Sequence, residues 1–168
     1  ESLTIRGDLV AHGPIGGTVP LEALTVHGDS TLDGGLVRTQ GDQTYDGSVL
    51  LGADTTLTSL GGGTVLFTGP VDTAPGAEPA DLTINGALHA EGPIGGTNPL
   101  GSLDVTGVSE ICGGLIRTVG GQTYGGNVTL CQDTTLESTS GGTITFGAAV
   151  DGTTAGQESL TILGDLVA

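Results

Sequence analysis

Cys112 and Cys131 are the only thiols in 168 residues and stand 19 positions apart. Such a pair can form a disulfide, supply two ligands to a metal or remain free, and the outcome depends on what the spacing becomes in three dimensions. The other charged groups are mostly acids, 19 of them against three arginines and no lysine. Paired carboxylates suit glycoside hydrolysis or calcium binding. Asp54 and Asp133, and Asp72 and Asp151, are the acids that recur in equivalent positions. Two short motifs add receptor and glycan chemistry: Arg6-Gly7-Asp8 is the tripeptide read by integrin-type receptors, and Asn127-Val128-Thr129 fits the N-glycosylation acceptor.

These residues have to be positioned by a chain that is one-fifth glycine, with 33 glycines and only four Tyr or Phe. Glycine at this density demands many corners, and the Thr, Val, Leu and Ile between the corners suit strands. Sliding the sequence by 79 residues pairs Gly34–Phe67 with Gly113–Phe146 at 21 identities in 34 positions, and carries "GPIGGT" at Gly13 onto "GPIGGT" at Gly92. The opening "ESLTIRGDLVA" returns as the closing "ESLTILGDLVA". We read residues 1–168 as one continuous segment of a longer array, with long repeats roughly 1–79 and 80–157 and a third starting at 158–168.

A finer period lies inside the long one. Short apolar triplets ending at turns place Ala11, Leu32, Leu51, Phe67 and Ala90 at steps of 21, 19, 16 and 23 residues. Each piece alternates apolar residues with Thr, Ser or Asp, the pattern of a strand with one face inward. Strands of three to five residues cannot form a sheet alone, but coils stacked on one another bury a continuous core. The expected fold is an all-β parallel β-helix, a β-solenoid of about 20 residues per coil and four coils per 79-residue repeat, forming a rod about 40 Å long at roughly 4.8 Å per coil. Val, Leu and Ile ladders should fill it, with Tyr45, Tyr124, Phe67 and Phe146 occupying its wide places.

On such coils Cys112 follows the inward Ile111 and Cys131 the inward Leu130, so the two take the same place on consecutive turns. Their Cα atoms should then lie about 5 Å apart, inside the disulfide window. The first repeat has Asp33 and Gly52 at these places. Both positions change together, which favours a Cys112–Cys131 bond over free thiols, while zinc would need two further ligands that the spacing does not supply. A disulfide implies an oxidising, extracellular setting.

The remaining chemistry dissolves into the repeat. The Arg6-Gly7-Asp8 triplet has copies Asn85-Gly86-Ala87 and Leu163-Gly164-Asp165, and Asn127 has Ser48 as its counterpart, so neither motif is kept. His12, His27 and His89 fall opposite Glu91, Thr106 and Val10 in the other copy, the drift expected of solvated surface rather than a metal site. In a solenoid any two acids on neighbouring coils come within 5 to 10 Å of one another, roughly the spacing hydrolysis requires, so that spacing identifies no catalyst. Arg38 and Arg117 are likewise repeat equivalents. We therefore expect no catalytic residues, no metal ligands and no cofactor, with calcium at acidic turns the one cation worth testing. Aspartates at the corners are expected to cap backbone there. A formal charge of −16 repels nucleic acid and anionic membranes, and no run of apolar residues is long enough to span a bilayer.

The phrases "GGQTYGGNVTL" and "DTTLESTSGGTITFGAAVDG", on coils near 19 residues, resemble the β-strand repeats of filamentous-haemagglutinin-type surface proteins and large autotransporter adhesins of bacteria, over essentially the whole chain. The resemblance implies a right-handed β-helix that is secreted and forms a stalk or fibre at the cell surface. The absence of lysine, the scarcity of Asn and the 79-residue period depart from that pattern and leave room for a filament or sheath. The function expected is a structural extracellular rod whose partners are neighbouring copies of the array, end to end. The alternatives are an adhesin face that binds glycans or receptors and, behind it, a polysaccharide-active enzyme.

Overall fold

The computed structural model describes residues 1–168 and is all β, a solenoid of about eight turns with about 21 residues per turn. Every strand pairing is parallel. The first coil runs Leu3–Ile5, Leu9–Ala11 and then the bridging residue Ile15; the second runs Leu24–Val26, Ser30–Leu32 and Leu36–Thr39. Each coil therefore has three sides, and each side stacks on the same side of the next coil.

Along the first side the inward ladder is Ile5, Val26, Tyr45, Phe67, Ala90, Ile111 and Leu130. The second side continues from Val71 through Ile94 to Ile116, Leu136 and Ile162. On the third, Val37, Leu57, Ile84, Val105, Tyr124 and Phe146 align. Residues in the middle coils of these ladders are fully buried, and one apolar core runs the length of the molecule. The expected solenoid and its coil length are borne out.

The register refines the coil count. Phe67 stacks on Tyr45, at 5.4 Å between ring centroids, and not on Leu51, whose partner one coil up is Thr73. The 16-residue step from Leu51 to Phe67 is a change of side. One long repeat, from Leu3 on the first side to Leu82 on the third side of the fourth coil, spans 11 sides, or three and two-thirds turns instead of four. Tyr45 and Phe67 accordingly lie on the first side, while their equivalents Tyr124 and Phe146, 5.5 Å apart, lie on the third. Each repeat is rotated by one side relative to the last.

Glycine is required where the corners touch. A Cβ on Gly47 would stand 2.5 Å from the carbonyl oxygen of Gly28 on the coil below, and one on Gly69 would stand 2.5 Å from that of Gly47. No backbone atom there can move without breaking the stack. The aromatic pairs bring a polar device with them. Tyr45 donates its hydroxyl to Gln43 Oε1 at 3.1 Å, and the Gln43 amide donates to the carbonyl of Thr58 at 3.1 Å, so the buried amide and phenol satisfy each other and the wall. Tyr124 and Gln122 repeat the arrangement, and burial pushes both phenols well above the ordinary tyrosine range.

Candidate functional site

Many of the aspartates are engaged in holding one coil to the next. Asp8 Oδ1 accepts the N–H of Asp29, Asp29 Oδ1 that of Ser48, Asp42 Oδ1 that of Thr64 and Asp54 Oδ1 that of Asp81, all at 2.8–3.0 Å. Asp133 Oδ1 accepts both the N–H and the hydroxyl of Ser159 at 2.8 Å, and these bonds, the hydroxyl first, hold its carboxyl below the usual carboxylate range. The sequence reading had aspartate capping its own turn. In the structure the cap reaches the coil above, because successive corners are only one strand spacing apart. The recurrence of Asp54 as Asp133 follows from this structural use.

Arg38 and Arg117 belong to the same scheme. Gly16 and Gly95, in the two "GPIGGT" loops, sit at φ +68° and +70°, and the next coil's arginine packs over each loop. Arg38 Nη1 donates to the Gly17 carbonyl at 3.0 Å; Arg117 donates from Nε to Gly95 at 3.0 Å and from Nη2 to Gly96 at 2.9 Å. These guanidinium groups bind backbone within the molecule. Arg6 and Asp8 are exposed, but Asp8 is already committed to Asp29, and Asn127 is exposed beside the inward Val128.

Two places depart from the repeating surface. The first is a groove of about 390 Å³ on the second side, over Thr31 and Leu50, walled by Ser48, Thr97 and Asn98 with Asp72 at its base. Asp72 is 8% exposed, and its Oδ1 accepts the N–H groups of Thr97 and Asn98 at 2.8 and 3.0 Å, which pins the overhanging loop. Its repeat equivalent Asp151 is exposed, so the recurring pair Asp72 and Asp151 is one in sequence only. Beyond Asp72, the lining offers Ser and Thr hydroxyls, the Asn98 amide, two prolines and Asp29, whose Oδ1 already accepts the Ser48 N–H.

The second place is the cysteine corner. Cys112 and Cys131 form the expected disulfide, with Cα atoms 4.7 Å apart. The outward row of the first side reads Thr4, Thr25, Thr44, Leu66, His89, Glu110, Thr129, so a threonine ladder gives way to ionisable residues beside the cysteines. His89 Nε2 lies 3.8 Å from Cys112 Sγ, Glu110 Oε1 3.6 Å from Cys131 Sγ, and His89 Nδ1 3.8 Å from Glu110 Oε2. Glu91 Oε1 stands 4.0 Å from His89 Nε2. Sequence reading set His89 aside as surface drift; His12 and His27, which pair with Asp33 and Asp46 at 2.8 and 2.6 Å, are indeed the exposed ones. The missed signal was joint substitution: Val10, His12, Thr31, Asp33 and Gly52 of the first repeat all change, to His89, Glu91, Glu110, Cys112 and Cys131.

Compared with known proteins, the chain matches no family, no curated protein and no solved structure.

Proposed function

We propose that this protein is a mechanical element: a non-catalytic rod in an extracellular stalk, fibre or sheath of a bacterial surface. The observation that carries the reading is the single apolar core that runs unbroken through about eight turns of the same three-sided coil. Each coil lends its strand edges and core face to the next, so such a stack extends by adding coils along one axis, and its partners in this reading are neighbouring copies of the array, end to end. The coil-to-coil aspartate caps and the disulfide strengthen the axis along which a rod is pulled, and the disulfide suits an oxidising exterior. The charge of −16 opposes lateral aggregation.

Small-angle scattering over a concentration and salt series tests this. End-to-end growth keeps the cross-section constant while length increases, and it strengthens as salt screens the acidic rods from one another. A monomer of fixed length at high concentration and high salt would contradict it.

A second reading is favoured by the groove over Thr31 and Leu50, whose hydroxyl and amide lining suits a polar, hydroxylated ligand such as a surface glycan. Binding of oligosaccharides that is lost in Asn98→Ala would move the role from rod to adhesin face.

A further inference from the structure

We propose that Cys112, Cys131, His89 and Glu110 form a Zn²⁺ site when the disulfide is reduced, so that the corner is closed by a covalent bond under oxidising conditions and by a metal under reducing ones. The set is the one a soft-to-borderline divalent cation selects, two thiolates, an imidazole and a carboxylate.

Geometry supports four ligands and not two. Zinc bonds of about 2.0–2.3 Å in a tetrahedron place ligand atoms roughly 3.3–3.8 Å from one another. The His89–Cys112 and Glu110–Cys131 separations are 3.8 and 3.6 Å, and one ligand atom each from His89, Glu110 and Cys112 lie within 4.8 Å of one another. The two sulfurs, now bonded, have to part, and the His89, Glu110 and Cys112 ligand atoms have to draw in from within 4.8 Å of one another, by rotations of side chains on adjacent coils. His89 and Glu110 stand within strands and the cysteines just beyond them, where backbone bonds hold Cys112 N–H to Ala90 and Cys131 N–H to Ile111. No single member is special. Their simultaneous appearance at positions that hold Val10, Thr31, Asp33 and Gly52 in the first repeat is what sets this corner apart.

The exchange balances. A dithiol reductant transfers two electrons and two protons to the Cys112–Cys131 bond and is itself oxidised to a disulfide. Zinc then displaces the two thiol protons to solvent. A disulfide oxidant reverses the sequence, taking two electrons from the thiolates and releasing the ion.

The test uses the whole chain, reduced with a phosphine under inert gas and titrated with Co²⁺ as a spectroscopic probe and then with Zn²⁺. The reduced protein is expected to bind one Co²⁺ with thiolate-to-metal absorption, displaced by Zn²⁺, while the oxidised protein binds none. His89→Val and Glu110→Thr restore the residues of the first repeat, which the coil already accommodates, and each should weaken binding at least tenfold. Circular dichroism follows the fold of every sample. The proposal is overturned if the reduced protein takes up no metal, if uptake is unchanged in both variants, or if the reduced chain loses its β signal and Zn²⁺ does not restore it.

Discussion

Phe67 stacks on Tyr45, with 26° between the ring planes, and the pair marks how the molecule winds. The strand register places Phe67 on the first side although the text aligns it with Leu51, and it turns each long repeat by a third of a coil relative to the last. Any feature written once per repeat therefore moves to a new side in the next repeat. A rod built this way presents the same features in three directions.

The aromatic stack should dominate stability. Phe67→Ala removes a fully buried ring and is expected to cost about 3–5 kcal/mol. Tyr45→Phe keeps the ring but strands Gln43 Oε1, at a cost of about 1–3 kcal/mol. Chemical denaturation of both variants checks the order.

Gly47 and Gly13 should respond in opposite ways to alanine. Gly47→Ala drives a methyl into the backbone of Gly28 and should destabilise by about 1–3 kcal/mol, as overpacking does. Gly13 has nothing within 4 Å of a new Cβ, so Gly13→Ala should be neutral or stabilising by up to about 1 kcal/mol. Thermal melts of the pair separate the requirement for contact from composition alone.

Ser30 and Ser109 are repeat equivalents whose hydroxyls are buried without a partner. Removing an unsatisfied hydroxyl takes away its desolvation cost, so Ser109→Ala should raise stability by about 1 kcal/mol. A lower melting temperature would show that the hydroxyl has a partner after all.

Acid should loosen the last coil first. Asp133 has its pKa lowered by the Ser159 hydroxyl and N–H, so it stabilises the folded state above the unfolded carboxylate value near 4. That contribution is lost as pH falls from there through the lower folded value. Hydrogen exchange at Ser159, corrected for its intrinsic rate, should accelerate in this window, and Asp133→Asn should show the faster exchange already at neutral pH.

The sequence made the coil and its corners legible because a three-sided stack forces glycine and apolar residues to return at nearly fixed steps. Cys112 and Cys131 were legible for the same reason, being one coil apart. The third-of-a-turn rotation was hidden, since a strand looks the same in the text whichever side it occupies, and only the register of the stacked coils tells the sides apart. The His89 and Glu110 corner was missed through the choice of comparison. Aligning repeat with repeat, 79 residues apart, made His89 look like drift from Val10, whereas its real neighbours lie about one coil away. Gln43 and Gln122 escaped notice because a buried amide is legible only once its partners Tyr45 and Tyr124 are known to point inward beside it.

The central claim is that these coils stack into an extended rod. Electron images of the native material, with power spectra taken along any fibre axis, test it most directly. The account predicts a strong layer line near 4.8 Å along the axis, the spacing of parallel strands. Compact particles of fixed size without that line would contradict it.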